Sequence, residues 1–116
     1  MTLEIRKYQG SASITGTEYS APNAANYSSG SPIVADGIFT AMFDLVNLAA
    51  GDEFLFTVYD KVDGTNQRVI YQATKTGAQS QAFVMPPLPL GDGWDISLKK
   101  VNGTNRTIYW RITKVS

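Results

Sequence analysis

Apolar and polar residues alternate along most of the chain after residue 37. Between residues 38 and 48 nearly every second side chain is apolar, a period of two that is typical of a half-buried β-strand. The run 94–101 has the same period and predicts another strand. The buried faces predicted for these two strands hold Phe39, Ala41, Phe43, Leu45, Trp94, Ile96 and Leu98, and the polar face of the second holds Asp95, Ser97 and Lys99.

Further strands are predicted at 53–62, 68–75, 81–85 and 106–115. Turn-forming residues at 63–66 and 102–105, each with Gly and Asn, predict that both connections are hairpins. Three prolines within 86–90 cannot donate to a central ladder, so this segment is predicted to be an edge or a crossing loop. No window has a helical period. The pattern therefore predicts an all-β fold of seven or eight strands, an antiparallel β-sandwich that is jelly-roll-like.

Residues 10–37 differ in composition, with six Ser, four Gly and two Pro among scattered apolar side chains. This composition predicts an extended N-terminal arm with a strand at 13–19. Two alternatives stay open: an ordered loop on its own sandwich, or an arm that completes a contact with another molecule. The anchors expected for such a contact are Tyr19, Tyr27, Ile33 and Val34. The predicted organisation is one domain, with an N-terminal strand and arm at 1–37 and the sandwich core at 38–116.

A short echo links the two predicted hairpins. KVDGTN at 61–66 and KVNGTN at 100–105 are each followed by an Arg and then by an Ile-Tyr pair. The echo has two interpretations, which are convergent turn chemistry and two equivalent hairpins in the two sheets. Tyr71 and Tyr109 occupy matching positions after the turns, and they are further candidates for a partner contact.

Composition excludes most catalytic chemistry, because the chain has no His and no Cys. Paired acids remain, but Asp52 and Glu53 are neighbours on a strand and are expected to point apart. Asp92 lies in a Gly-Asp-Gly turn, where a local hydrogen-bonding role is expected. Trp94 and Trp110 could form a sugar-stacking platform, but their period favours the core. We therefore expect no enzyme activity, no cofactor and no bound metal.

The net charge of zero conceals an asymmetry between the two halves of the chain. Residues 1–60 hold seven acids and two bases, a net charge of −5, while residues 61–116 hold eight bases and three acids, a net charge of +5. Pairing across strands and a charged assembly surface are the two interpretations. Neither a nucleic-acid-binding arm nor a membrane span is predicted, and residues 1–7 lack the apolar core of a signal peptide. We expect a soluble protein made without export.

Residues 35–116 resemble a group of small virion structural proteins of tailed bacteriophages. The likeness is carried by ADGIF at 35–39, GDEF at 51–54, RVIYQAT at 68–74, GDGWDISLK at 91–99, GTNR at 103–106 and WRITKV at 110–115. The resemblance implies a β-sandwich head decoration (cement) protein on the capsid exterior, with the major capsid protein as its partner. It also implies a homo-oligomer, with a trimer favoured, located on the virion and in the host cytoplasm during assembly. The alternative is a glycan-binding or adhesin-type module of a virion.

Overall fold

The structure is a computed structural model that describes residues 8–91 and 93–116. These residues form two antiparallel five-stranded sheets packed as a sandwich, which confirms the predicted fold class. Among them, no helix is long and apolar enough to cross a membrane. The strands are β1 (Tyr8–Ile14), β2 (Tyr19–Ser20), β3 (Ala25–Asn26), β4 (Gly37–Asp44), β5 (Glu53–Asp60), β6 (Arg68–Thr76), β7 (Phe83–Val84), β8 (Leu88–Leu90), β9 (Asp95–Asn102) and β10 (Arg106–Lys114).

Strands that follow each other in the chain often lie in opposite sheets. The first sheet has the order β1-β10-β4-β7, with β8 also paired to β4, and the second sheet has the order β3-β2-β9-β5-β6. The chain therefore crosses between the sheets six times, after β1, β3, β4, β6, β8 and β9. The beginning and the end of the described chain lie side by side in the first sheet, because β1 pairs with β10 over seven residues.

The core lies between the sheets and is built from the alternating positions that the sequence indicates. Trp94 and Trp110 are both buried, as predicted, and come from opposite sides of the sandwich. The Trp94 ring lies 4.7 Å from the ring of Phe39, centroid to centroid. The apolar faces predicted for 38–48 and 94–101 are buried throughout, with Phe39, Ala41, Phe43, Ile96 and Leu98 among their members. Ile108 and Ile112 of β10 are buried in the same core.

The predicted hairpin at 63–66 is present and joins β5 to β6. The Asp63 carboxylate accepts hydrogen bonds from the backbone amides of Asn66 and Thr65, at 2.7 and 2.8 Å. These two bonds lower the pKa of Asp63 to about 2. Gly64 has a φ of +79°, a conformation that glycine adopts without strain. Local turn chemistry is therefore sufficient to close this hairpin.

The prediction of a hairpin at 102–105 is wrong. β9 ends in the second sheet and β10 begins in the first, so these residues carry the chain across the sandwich. The Asp52 carboxylate draws the connection over the start of β5 by accepting from the Thr104 amide at 3.0 Å and from Arg106 Nε at 2.7 Å. The interpretation as two equivalent hairpins is therefore also wrong, since similar turn residues make two different connections.

The proline-rich segment lies at an edge of the first sheet, as predicted. β8 pairs only with β4, and Pro89 stands opposite Ile38. The short β7 pairs with the other half of β4. The segment therefore extends the first sheet without placing a proline in a central ladder.

The described part of the predicted arm lies on the sandwich. The prediction of a strand at 13–19 is wrong, because the chain leaves the first sheet at Ile14 and joins the second sheet at Tyr19. The Thr15 carbonyl accepts the Lys100 amide at 2.8 Å, which anchors the crossing. Ile14 and Ala21 belong to the core, which is therefore not confined to residues 38–116. The expectations for residues 1–7 and for Asp92 lie outside the described residues.

Candidate functional site

Two serines on the outer face of the second sheet each donate a hydrogen bond to a carboxylate. Ser20 on β2 and Ser97 on β9 stand directly opposite each other. Ser20 Oγ donates to Asp95 Oδ1 on the partner strand at 2.6 Å. Ser97 Oγ donates in the other direction, to Glu18 Oε2 just before β2. These reciprocal bonds hold the two-residue strand β2 against β9, where backbone pairing alone is short.

Two tyrosines cover this polar cluster. Tyr59 on β5 donates its hydroxyl to the same Glu18 oxygen at 2.6 Å. The ring of Tyr27 stacks on the ring of Tyr59, with 4.7 Å between centroids and planes 20° apart. The Tyr27 hydroxyl donates to Gln67 Oε1, and Gln67 Nε2 donates to the Gly93 carbonyl at 3.2 Å. Burial is the largest cause that raises the pKa of both phenols. Glu18 raises both further, by its charge at Tyr27 and by its hydrogen bond and its charge at Tyr59.

Asp95 is the most constrained acid in the cluster. It is fully buried, and its Oδ2 has no hydrogen-bond partner among the described residues. Burial, the largest effect, and the nearby charge of Glu18 together raise the pKa of Asp95 to about 6, against the opposing effect of the bonds from Ser20 and from the Ile96 amide. The cluster brings two carboxylates together, but Asp95 is buried and no ligand can reach it. The role of the cluster is therefore to hold residues 18–27 on the sheet.

The adjacent acids Asp52 and Glu53 are also used within the fold. Asp52 is only 2% exposed and accepts from the Ala49 amide at 2.8 Å as well as from Thr104 and Arg106. The bond from Arg106, the largest effect, and those from the two amides lower the pKa of Asp52 to about 2. Glu53 accepts from Asn102 Nδ2 at 3.3 Å. Asp52 and Arg106 pair an acid of the first half with a base of the second, as one interpretation of the charge asymmetry expects.

Three segments meet at one end of the sandwich. A Cβ added to Gly93 would lie 3.0 Å from the Lys61 side chain and 3.3 Å from that of Pro32, so Gly93 sits between these residues. Ile33 and Trp94 exchange two backbone hydrogen bonds of 2.8 and 2.9 Å. We call Pro32, Lys61 and Gly93 the junction. The segments that contain Pro32 and Lys61 each carry an exposed valine: Val34 is 76% exposed and Val62 is 77% exposed.

The outer face of the first sheet is uncovered in the described structure and contains a shallow groove. The groove has a volume of about 320 Å³ and lies across β1, β10 and β4. Tyr109, in its wall, is 56% exposed, whereas the neighbouring Trp110 is buried in the core. Adjacent strand positions face opposite sides of a sheet, which explains this contrast. The groove-lining side chains that face outwards include Gln9, Met42, Asp44, Tyr109 and Arg111.

The six predicted contact residues do not lie together in one site. The Tyr19 ring packs at 5.7 Å from the Trp110 ring, and Tyr27 stacks on Tyr59. Ile33 pairs with Trp94 and, like Tyr71, packs against the core. Val34 and Tyr109 are the two that are exposed, at the junction and in the groove. Their role in a partner contact stays a prediction.

Sequence reasoning missed the polar side chains of both the cluster and the groove. A signal for Gln9 was present, because Tyr8–Ile14 alternates in the period of a strand, with Gly10 and Ala12 among the inward positions. A Cβ added at Gly10 would lie 3.1 Å from the Trp110 indole. No local signal identifies Glu18 or Asp95, because their partners lie 41 and 75 positions away.

No protein-family model, no curated protein and no solved structure matches this chain. A proposal about its function therefore rests on the resemblance of residues 35–116 and on the geometry of the chain's own residues.

Proposed function

We propose that this chain is a head decoration (cement) protein of a tailed bacteriophage. It binds the outer surface of the capsid through non-catalytic contacts, and its partner is the major capsid protein. The observation that carries the proposal is the pair of exposed valines, Val34 and Val62, beside the junction at one end of the sandwich. This end is the proposed seat on the capsid.

Exposure and order at the junction favour a role in docking. Val34 and Val62 are the two most exposed large hydrophobic residues of the described chain. The segments that carry them are held in place by the Ile33–Trp94 pairing and by the bond from Gln67 to Gly93. Burying apolar side chains on binding is favourable, and a preordered surface loses little conformational entropy when it docks. The junction therefore suits a stable contact with a protein surface.

Two valines bury little area, so the proposed binding depends on several copies acting together. A homo-oligomer, with the trimer that the resemblance favours, would present several junctions to neighbouring capsid subunits. Linked sites bind far more tightly than each site alone when the geometry lets them engage together. The proposed location is the virion exterior, preceded by the host cytoplasm during assembly, with no nucleic acid, membrane or cofactor involved.

The strand order supports the jelly-roll part of the fold prediction. If the short β3 is left aside and β7 and β8 are counted as one interrupted strand, eight strands remain. In chain order their numbers are 1-8-3-6 in one sheet and 2-7-4-5 in the other. This interleaving favours a jelly roll, an architecture found in viral capsid proteins and also in lectins. The fold is thus compatible with the decoration proposal and with the glycan-binding alternative.

Co-sedimentation with phage heads tests the proposal. The full chain should sediment with purified heads of the phage that carries its gene, after the native decoration protein has been removed. The double substitution Val34→Ser with Val62→Ser should lower occupancy at least tenfold. Val46→Ser is the matched control, because Val46 is 64% exposed and follows the opposite end of β4. Failure of the wild-type chain to sediment with heads would overturn the proposal. An equal loss of occupancy for the double variant and for Val46→Ser would overturn the assignment of the seat to this end of the sandwich.

A further inference from the structure

We propose that the groove on the outer face of the first sheet binds a neutral saccharide. A sugar ring stacks on Tyr109, and its hydroxyl groups bond to Asp44 and Arg111. This site lies outside the proposed seat on the capsid and does not depend on it.

The register of three strands gathers polar groups around one aromatic ring. Tyr109 on β10 stands opposite Asp44 on β4 and opposite Ser11 on β1. Arg111 is the next outward residue on β10 and stands opposite Gln9. Directly opposed side chains on neighbouring strands lie about 5 Å apart at Cβ. A ligand lying on the Tyr109 ring therefore has a carboxylate, a guanidinium and an amide within reach.

The Tyr109 ring is available, unlike most tyrosine rings of the described chain. Tyr8, Tyr19, Tyr27 and Tyr59 each pack against another aromatic ring. Tyr71 packs against the core instead. Tyr109 has no aromatic neighbour among the described residues and is 56% exposed. An exposed, flat, amphipathic ring is a suitable surface for the C–H face of a sugar.

Charge in the groove favours a neutral ligand with many hydroxyl groups. The Asp44 carboxylate and the Arg111 guanidinium have opposite signs, so an ionised ligand of either sign meets one repulsive group. Asp44 Oδ1 accepts the Val46 amide at 3.1 Å, which fixes the carboxylate and leaves Oδ2 for a ligand. Within residues 8–91 and 93–116, neither Gln9 nor Arg111 has a side-chain hydrogen bond. Hydroxyl groups both donate and accept, so they satisfy the three groups together.

The size of the groove limits the ligand. Its volume of about 320 Å³ lies at the lower end of the range for small-molecule sites, which is roughly 300–1,000 Å³. One or two sugar rings fit this space. Because the groove is shallow, each contact is weak, and dissociation constants of about 1 mM are expected for a single copy. Clustered copies would bind a glycan-coated surface more strongly.

Saturation-transfer NMR with defined sugars tests the site. The probes are the methyl glycosides of glucose, galactose, mannose and N-acetylglucosamine, with sialic acid and glucosamine as charged comparators. At least one neutral glycoside should bind saturably to the full chain and more tightly than either comparator. Tyr109→Ala should weaken binding roughly tenfold or more, while Tyr109→Phe, which keeps the ring, should stay within about threefold. Val84→Ala is the matched control, since Val84 is also 56% exposed on this sheet.

The outcomes separate this site from the seat on the capsid. Binding of no neutral glycoside, preferred binding of a charged comparator, or unchanged binding by Tyr109→Ala would each overturn the saccharide site. Head co-sedimentation of Tyr109→Ala should equal that of the wild type. If Tyr109→Ala instead no longer sedimented with heads, and no sugar bound to the wild type, the groove would be a protein-docking surface. A thermal melt of each variant, followed by circular dichroism, checks that it is folded.

Discussion

Ser20 and Asp95 are joined by a buried hydrogen bond of 2.6 Å although they lie 75 positions apart in the chain. Together with the reciprocal bond from Ser97 to Glu18, it fastens β2 to β9 on the outer face of the second sheet. The bond leaves the other oxygen of Asp95 buried and without a partner among the described residues. The hydrogen bond from Ser20 to Asp95 thus holds the N-terminal segment on the sheet. Burial of the Asp95 carboxyl disfavours its ionised form.

Asp95→Asn should flatten the dependence of stability on pH. The pKa of Asp95 is about 6 in the folded chain against 3.8 when unperturbed, so the folded chain binds the proton more tightly. The contribution of this proton to stability is fully present below about pH 4 and is lost as pH rises through 6. Wild-type stability, measured by urea unfolding, should therefore fall by up to about 3 kcal/mol between pH 4 and pH 7.5.

The exposed Asp36 provides the control for this pH dependence. Asp36→Asn should keep the wild-type slope, and Asp95→Asn should lose most of it. Parallel slopes for the wild type and Asp95→Asn would show that Asp95 does not titrate as the structure indicates.

Trp94→Ala and Trp110→Ala should each destabilise the fold by about 3 to 5 kcal/mol. Both side chains are buried and pack against aromatic rings, so truncation leaves a cavity between the sheets. The free energy of unfolding in urea measures the effect, with the exposed Val46→Ala expected to change it by under about 1 kcal/mol. A loss below about 1 kcal/mol for either tryptophan would contradict its place in the core.

Gly103→Ala should be much more damaging than Gly64→Ala. Both glycines have positive φ, at +95° and +79°, so both substitutions introduce backbone strain of about 1 kcal/mol. A Cβ at Gly64 meets nothing within 4 Å, whereas one at Gly103 would lie 2.7 Å from Asp52 Cα. The difference in melting temperature between the two variants isolates the crowding at Asp52. Equal melting temperatures would mean that this crossing can move aside.

Sequence patterns predicted the strands well because alternation is a local property. The inward faces of β4 and β10 follow directly from it, and so does the hairpin that Asp63 closes with its own neighbours. Residues 102–105 have nearly the same turn chemistry as 63–66 but cross between the sheets, because Asp52 holds Thr104 from a distance of 52 positions. No local pattern contains that contact.

The candidate sites were predicted less completely, for the same reason. Tyr109 was identified because its position after the predicted turn at 102–105 matches that of Tyr71 after the turn at 63–66. Its polar neighbours in the groove, Gln9 and Asp44, reach it only through pairing of β10 with β1 and β4. Tyr27 was expected to be an anchor for a partner, and its stacking on Tyr59 depends on how the segment after β3 folds back over the second sheet.

Cryo-electron microscopy of phage heads saturated with the full chain tests the decoration proposal most directly. The proposal predicts ordered density for the sandwich on the outside of the shell, with the end that carries Val34 and Val62 against the major capsid protein and the Tyr109 face turned to solvent. Heads without such density, or a sandwich that contacts the shell through the Tyr109 face, would contradict it.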